Sequence, residues 1–257
     1  DLQTPPVTEG APAPGKRVRG VLPAWAGTEV HHALYLPTDW TPQKRFPAIV
    51  EYAGNGPYSN AYGDISTGKV EGSNLGFGVT AGNGFLWLCL PYVDSLNKCN
   101  QTQWWGDVEA TVEYCKEAVR WVCEEWGGDP AAVILCGFSR GAIACSYIGL
   151  HDDEIARLWR GMIAYSHFDG VRSWPYPDSD RASALKRLQR LGTRPCFVCQ
   201  EGGTAGTQAF LKDAGLQAQF TFSTVPFRNH NDGWALRDCS ARREVRRWLE
   251  GALAEAT

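Results

Sequence analysis

The sequence has little methionine, no long apolar run and no excess of charge of one sign. Its 257 residues contain one Met, and apolar runs such as residues 85–90 are far shorter than the roughly 20 residues that a membrane helix needs. Lys and Arg number 25 against 28 Asp and Glu, a formal net charge of −3. We therefore expect neither nucleic acid nor a membrane as a partner. The 44% of hydrophobic residues indicates an ordered globular protein.

The start of the chain differs in composition from the rest. Residues 1–15 contain four Pro and show no apolar periodicity. Such a segment lacks the side chains that would pack it onto a core. We predict a flexible leader over residues 1–16 and a single domain over residues 17–257.

The position of the only methionine, Met162, leads us to expect that an N-terminal segment has been removed. A cleaved signal peptide would account for this, and it would make the protein secreted or periplasmic. That compartment permits disulfides, although the odd number of nine Cys leaves at least one unpaired in the monomer that we expect. Cys99 and Cys239 lie in predicted loops, so their pairing would indicate the compartment.

Short apolar runs separated by helical patterns determine the predicted fold. Five runs without period-two alternation are found, at residues 46–50, 85–90, 133–136, 162–165 and 196–199. Such runs are typical of parallel strands covered on both faces. Helical apolar spacing occurs over residues 108–126, 181–191 and 241–254. We predict an α/β protein with one doubly wound, mostly parallel sheet and helices on both faces, preceded by an antiparallel hairpin of residues 30–36 with the strand that starts at Phe46.

One segment has the pattern of a catalytic nucleophile. Residues 137–141 are Gly-Phe-Ser-Arg-Gly, directly after a buried run and directly before a small-residue helical stretch. In this context, Gly-x-Ser-x-Gly is typical of a nucleophile elbow, in which the serine lies in a strained turn between a strand and a helix. Gly137 and Gly141 keep side chains away from the neighbouring backbone. Ser139 is therefore the predicted nucleophile.

A serine hydroxyl needs a general base, and five histidines are available. The acid and the base of an elbow serine follow it in the chain, and His230 lies in a polar loop after the strand predicted at residues 220–225. Two carboxylates follow predicted strand ends before it, Glu201 and Asp169. We favour Glu201 as the acid, because its strand directly precedes the one that leads to His230, and we keep Asp169 as the alternative.

Backbone amides and loop side chains complete the predicted site. The N–H groups of Arg140 and Asn55 are the expected oxyanion-hole donors, because Arg140 follows the nucleophile and Asn55 lies in the glycine-rich loop after an early strand. The side chain of Arg140 is also predicted to contact a substrate carboxylate or sugar hydroxyl. The side chains predicted to bind the substrate lie in loops after strand ends: Trp104, Trp105, His167, Trp174 and Trp234.

These motifs together resemble those of the α/β-hydrolase superfamily. In chain order they are Gly54-Asn55-Gly56, Asp129-Pro130, Gly137-Phe138-Ser139-Arg140-Gly141 and Asn229-His230. Over about residues 30–253 the chain is similar to the serine esterases grouped with dienelactone hydrolases, feruloyl and acetylxylan esterases and polyhydroxyalkanoate depolymerases. It departs from many of them at Ala53, where a His is common, and after Cys199, where no Asp supplies the acid.

The resemblance implies an α/β-hydrolase fold without a large lid, one catalytic domain, and a Ser-His-acid triad that works through an acyl-enzyme with no cofactor and no metal. We predict hydrolysis of a small-molecule or oligosaccharide ester of the acetyl, feruloyl or uronate type, because flat Trp side chains suit sugar rings and aromatic acyl groups. A peptidase or lactonase with the same triad is the alternative. A non-catalytic binding module on this fold is a further one.

Overall fold

The computed structural model describes residues 1–254, and its central element is a nine-stranded sheet. The strands are β1 (Val7–Thr8), β2 (Arg17–Gly20), β3 (His32–Tyr35), β4 (Phe46–Tyr52), β5 (Tyr58–Ser59), β6 (Ile65–Ser66), β7 (Leu86–Leu90), β8 (Val93–Asp94), β9 (Cys99–Asn100), β10 (Gly128–Phe138), β11 (Gly161–Tyr165), β12 (Cys196–Glu201) and β13 (Phe220–Val225). The α-helices are α1 (Leu75–Thr80), α2 (Val108–Glu125), α3 (Arg140–Tyr147), α4 (Asp153–Ala156), α5 (Arg181–Leu188), α6 (Ala205–Asp213) and α7 (Ser240–Ala254). Short 3-10 turns occur at Pro23–Trp25, Val70–Gly72, Gln189–Leu191 and Asp232–Leu236.

The sheet has the mostly parallel order that the apolar runs predict. Its strands follow one another in space as β1-β2-β3-β7-β4-β10-β11-β12-β13, and all pairs from β7 to β13 are parallel. The five predicted runs form β4, β7, β10, β11 and β12, which are neighbours in the middle of the sheet. They lack alternation because both of their faces are covered; every residue of β7, for example, is buried.

Helices cover both faces, as predicted. Apolar side chains of α2, α3, α5 and α6 pack into one core, and those of α1 and α7 pack into the other. The helical pattern over residues 108–126 corresponds to α2, whose first turn is capped by Asp107 accepting from Ala110 N–H at 3.0 Å. The other two helical patterns correspond to α5 with the 3-10 turn after it and to α7.

The antiparallel part of the sheet is confirmed, but with different partners. β2 and β3 form the N-terminal antiparallel hairpin, whereas residues 30–36 were expected to pair with the strand that starts at Phe46. β7 lies between β3 and β4, antiparallel to β3 and parallel to β4. Because β7 is apolar on both faces, a central position buries it fully. That burial outweighs the local turn that favoured a hairpin between neighbours in the sequence.

Residues 1–16 lie against the sheet and the loop after β13. β1 pairs in parallel with β2, and Leu2 N–H donates to Leu236 O at 2.7 Å. This course differs from the flexible leader that the prolines predict, because the backbone of the segment finds hydrogen-bond partners at the sheet edge. Residues 255–257, which belong to the predicted domain, lie outside the described residues.

All of the cysteines lie within residues 1–254 and are free thiols, and every one except Cys99 is buried. Cys99 and Cys239 are therefore not joined to each other or to another cysteine. The secreted or periplasmic location stays a prediction. Within residues 1–254, no helix combines the length and the apolar character that crossing a bilayer requires.

Candidate active site

Ser139 lies in a sharp turn between β10 and α3, as the elbow motif predicts. Its φ is 56°, in a backbone region that residues other than glycine rarely adopt. The turn is tight: a Cβ on Gly137 would collide with the backbone of Gly141, and a Cβ on Gly141 would collide with Tyr52 O on β4. The two glycines therefore permit the close approach that exposes the Ser139 hydroxyl at the carboxyl edge of the sheet.

Ser139, His230 and Glu201 form one chain of hydrogen bonds. His230 Nε2 lies 3.0 Å from Ser139 Oγ, and His230 Nδ1 lies 2.6 Å from Glu201 Oε1. Glu201 is the last residue of β12, and His230 belongs to the loop after β13, so neighbouring strands deliver both side chains to the elbow. Their side chains are 16% and 23% exposed, which leaves the chain partly open to a ligand.

The charge of Glu201 determines which nitrogen of the His230 imidazole faces the serine. Burial raises the pKa of the Glu201 carboxyl, but its hydrogen bonds with His230, its own backbone N–H and Ser166, together with the coulombic effect of His230, outweigh burial, so the pKa lies below its ordinary value. Glu201 is therefore ionised at neutral pH. An ionised carboxylate accepts the proton on Nδ1, which leaves Nε2 without a proton and ready to accept from the Ser139 hydroxyl.

The structure does not bring Asp169, the alternative acid, into this chain. Its Oδ2 accepts from Ser146 Oγ at 2.8 Å and from Arg187 Nε at 3.0 Å, and it is 2% exposed. Asp169 lies in the segment after β11, and Glu201 is the last residue of β12. However, the Asp169 carboxylate points toward α3 and α5, where the buried guanidinium of Arg187 balances its charge.

A small hairpin formed by β5 and β6 holds the backbone of His230. Asp64 Oδ1 accepts from His230 N–H at 2.7 Å, and Ile65 N–H donates to His230 O at 3.2 Å. The ring of Tyr58 stacks on the imidazole at a centroid distance of 6.1 Å. Sequence reasoning missed these residues, because the polar stretch around Asp64 lies far from His230 in the chain and carries no motif.

Ser166 was also missed. Its Oγ lies 2.9 Å from Glu201 Oε1 and 2.9 Å from His230 Nδ1. One signal could have indicated it: Ser166 directly follows the apolar run at residues 162–165, so it lies at the same sheet edge as Ser139.

The predicted oxyanion-hole residues lie at the elbow and in the loop after β4. Arg140 is the first residue of α3, so its N–H has no acceptor within the helix. Asn55 is fixed through its side chain, whose Oδ1 accepts from Trp104 N–H at 2.7 Å.

The Arg140 side chain is a structural element and not a substrate contact, which corrects the prediction for it. It is 1% exposed, and it donates to Gly54 O at 2.9 Å and to Trp104 O at 2.6 Å. Burial lowers the pKa of Arg140 to about 10, so the guanidinium stays charged at neutral pH. It lies 3.8 Å from the centroid of the Tyr92 ring. Arg140 thus ties the loop after β4 to the loop that carries Trp104.

Three of the predicted substrate-binding residues form an aromatic row that starts at His230. His167 contacts the His230 ring at a centroid distance of 5.3 Å, Trp174 contacts His167 at 5.3 Å, and Trp104 contacts Trp174 at 5.5 Å. All three are half-buried. Burial and the neighbouring His230 lower the pKa of His167 to about 4, so His167 is neutral at physiological pH.

Trp105 and Trp234 are not part of this row, which corrects the prediction for them. Trp105 is 4% exposed and stacks on Tyr147 in the core that faces α2 and α3. Trp234 is 3% exposed in the core on the other face. Both lie in loop segments, but each indole is covered by its own core and is unavailable to a ligand. Within residues 1–254, no group of three or more His, Cys, Asp and Glu side chains is arranged to hold a metal ion.

Solved structures share this architecture, although no protein family model and no curated protein match the sequence. Esterase 2 of Thermogutta terrifontis, phosphorylated by paraoxon, is 18% identical with a TM-score of 0.59, and the match covers 90% of each chain. A mutant feruloyl esterase module from Clostridium thermocellum, complexed with sinapinate, is 12% identical with a TM-score of 0.57 over 97% of this chain and 95% of that one. A thermostable esterase is 15% identical with a TM-score of 0.59; the match covers 91% of this chain and spans 62% of that one.

The chain has the α/β-hydrolase fold. The order of the site residues agrees with the order that the α/β-hydrolase fold uses: Ser139 follows β10, Glu201 ends β12 and His230 follows β13. All three lie at the carboxyl edge of parallel strands, where open α/β sheets bind their ligands.

Proposed function

We propose that the protein is a serine hydrolase that cleaves carboxylic esters through an acyl-enzyme on Ser139. The observation that supports this proposal is the hydrogen-bonded chain from Ser139 through His230 to Glu201 at a nucleophile elbow. A nucleophile, a base and a carboxylate that orients the base are the parts that acyl transfer requires.

The geometry supports a two-step reaction. As Ser139 Oγ attacks the ester carbonyl carbon, His230 Nε2 takes the hydroxyl proton, and the charge of Glu201 stabilises the resulting imidazolium. The carbonyl oxygen becomes an oxyanion and accepts from the N–H groups of Arg140 and Asn55. His230 then gives its proton to the leaving alcohol. Water repeats the sequence on the acyl-enzyme, which releases the acid and restores Ser139.

We propose carbohydrate-linked esters of the acetyl, feruloyl or uronate type as substrates. The aromatic row of His167, Trp174 and Trp104 supports this, because it offers uncharged ring faces that lead away from His230. Such surfaces suit sugar rings and aromatic acyl groups. The feruloyl esterase module with the same fold, complexed with sinapinate, is consistent with this substrate class.

Labelling with a fluorophosphonate tests the proposed nucleophile. We expect the wild type and Ser146→Ala to be labelled and Ser139→Ala to remain unlabelled, because the Ser139 hydroxyl is the one that faces His230 Nε2. Ser146 is a suitable control because it is a buried serine of the same helix that bonds to Asp169 instead. Equal labelling of Ser139→Ala and the wild type would exclude Ser139 as the nucleophile.

A panel of esters tests the substrate class. It compares acetylated xylan, a feruloylated oligosaccharide, a glucuronate methyl ester and p-nitrophenyl esters of increasing acyl length. We expect the highest kcat/KM for one of the carbohydrate esters. A preference for long acyl chains would contradict the carbohydrate assignment and leave the esterase proposal in place.

A further inference from the structure

Ser166 is held rigidly between the elbow and the strand that carries Glu201. The peptide that joins it to Tyr165 is fixed on both sides: Tyr165 O accepts from Ser139 N–H at 2.9 Å, and Ser166 N–H donates to Cys199 O at 2.9 Å. Ser166 is 1% exposed. The position of Ser166 is therefore determined by the elbow after β10 and by β12, and not by a loop.

The backbone conformation of Ser166 is unusual for a residue with a side chain. Its φ is 85°, a region that glycine occupies without strain. A side chain kept under such strain at a buried position points to a use for that side chain. Here the side chain is a hydroxyl that faces the Glu201 carboxylate and the His230 imidazole, the two groups that orient each other next to Ser139.

The Ser166 hydroxyl is one of only a few groups that hold the Glu201 carboxylate. Glu201 Oε1 receives both His230 Nδ1 at 2.6 Å and Ser166 Oγ at 2.9 Å. The second oxygen, Oε2, is buried and has no hydrogen-bond partner among residues 1–254. Ser166 thus gives the carboxylate a hydrogen bond that does not depend on the imidazole that it has to orient.

We propose that Ser166 is a positioning residue for ester hydrolysis at Ser139. Its hydroxyl donates to Glu201 Oε1 and fixes the carboxylate in the rotamer that faces His230 Nδ1. Its oxygen lies 2.9 Å from Nδ1, so it also stabilises the imidazolium that forms when His230 takes the proton of Ser139. The inference rests on the proposed function of the Ser139-His230-Glu201 chain.

Two substitutions that remove the hydroxyl test this role. In Ser166→Ala and Ser166→Gly, we expect kcat for p-nitrophenyl acetate to fall about 10-fold, because a hydrogen bond to a charged group is lost. KM should stay unchanged, because Ser166 touches Glu201 and not the substrate. Ser166→Gly also removes the backbone strain, so it remains informative if Ser166→Ala folds poorly; thermal unfolding monitors both. Ser146→Ala is the control, since it removes a buried hydroxyl that bonds to a different carboxylate.

Moving the acid to position 166 tests the geometry directly. Because Ser166 Oγ lies within hydrogen-bond distance of His230 Nδ1, an aspartate there should partly replace Glu201. We expect Glu201→Ala with Ser166→Asp to recover about 10-fold or more of kcat relative to Glu201→Ala with Ser166→Asn. The two double variants have the same shape and tolerate the same φ, so their difference reports the charge alone.

The outcomes separate this inference from the proposed function. Activity that survives in Ser139→Ala would overturn the proposed function and this inference with it. If Ser139 is essential but Ser166→Gly keeps the kcat of the wild type, only the role of Ser166 is overturned. Equal kcat for the Asp and Asn double variants would show that position 166 does not face His230, and would overturn the geometric basis of the inference.

Discussion

Two carboxylates near the sheet edge, Glu201 and Asp169, bind different partners. Glu201 ends β12 and Asp169 lies in the segment after β11, so both are at the carboxyl edge of the sheet. Glu201 accepts from His230, whereas Asp169 pairs with Arg187, whose side chain is only 10% exposed. Sequence reasoning kept both as candidates, because Arg187, the residue that pairs with Asp169, lies on α5 in a later segment of the chain. The partner that distinguishes them is thus visible only in three dimensions.

Substitution of each carboxylate by its amide should affect a different property: kcat for Glu201 and the free energy of unfolding for Asp169. We expect Glu201→Gln to lower kcat about 1000-fold or more, because the amide no longer fixes the Nδ1 proton or stabilises the imidazolium. We expect Asp169→Asn to keep kcat and to lower the free energy of unfolding by about 3 kcal/mol, because it leaves Arg187 buried without its counter-charge. Ester hydrolysis and urea unfolding measure the two quantities. A loss of kcat confined to Asp169→Asn would contradict the assignment.

The positions of Ser139 and His230 could be predicted because each depends on a local pattern, whereas the acid could be narrowed only to Glu201 or Asp169. The elbow is a five-residue motif, and strand order limits where the acid and the base emerge. The roles of Arg140, Trp105 and Trp234 could not be predicted in this way. Whether a loop side chain faces a ligand or a core depends on what distant segments place above it; Tyr147, for example, covers Trp105.

At the scale of elements, the β5–β6 hairpin acts as a clamp on the loop that carries His230. The clamp consists of main-chain and side-chain bonds to His230 from Asp64 and Ile65, with Tyr58 stacked on the ring. These contacts hold the imidazole beside Ser139, together with the hydrogen bond that Tyr165 Oη donates to Asn231 O at 3.0 Å. We propose that the hairpin supports catalysis by holding His230 in place.

The carboxylate of Asp64 offers a test of this clamp. We expect Asp64→Ala to lower kcat about 10-fold, because His230 N–H loses a charged acceptor. Asp94→Ala is a matched control: Asp94 similarly accepts a backbone N–H, that of Asn97 at 2.9 Å, but it does so in the other small hairpin. Steady-state kinetics of both variants measure the effect. Equal losses of kcat in both would show that the effect is not specific to the clamp.

Another contact between elements joins β4 to α1 through Glu51. The Glu51 carboxylate is fully buried and accepts from Gly76 N–H at 2.7 Å and Trp87 Nε1 at 2.8 Å. Burial, reinforced by the nearby carboxylate of Asp232, raises the pKa of Glu51 to about 7; the hydrogen bonds from Gly76 and Trp87 and the charge of Arg17 oppose this only in part. Glu51 is therefore easier to protonate in the folded protein than in the unfolded chain.

This raised pKa predicts a pH dependence of stability with a definite sign. Below the ordinary pKa of 4.5, Glu51 is protonated in both states and has no effect. Between pH 4.5 and about 7, the unfolded chain ionises first, so the folded state loses stability as pH rises, by up to about 3 kcal/mol. In Glu51→Gln this loss should be absent. Urea unfolding across this range measures it, and parallel pH curves for the two proteins would contradict it.

At the scale of the whole molecule, the sheet gathers the residues of the candidate site at one edge. Asn55, Ser139, Ser166, Glu201 and His230 lie at or shortly after the carboxyl ends of β4, β10, β11, β12 and β13, which are consecutive in the sheet. The parallel core could be predicted because each strand is a compact apolar run. The position of β3 and the course of residues 1–16 could not, because they depend on pairing with distant strands and not on local composition.

The aromatic row leads from His230 across this edge, and we propose it as the surface on which a ring-containing substrate lies. We expect Trp174→Ala to raise KM for a feruloylated oligosaccharide about 10-fold, because one ring contact is lost. KM for p-nitrophenyl acetate should stay unchanged, because an acetyl group does not extend to the row. Trp40→Ala is the control. Trp40 is also half-buried, but it lies before β4, at the opposite edge of the sheet, where it packs on Trp126. An equal rise in KM for both substrates would show general damage to the site and would contradict a role of the row in substrate binding.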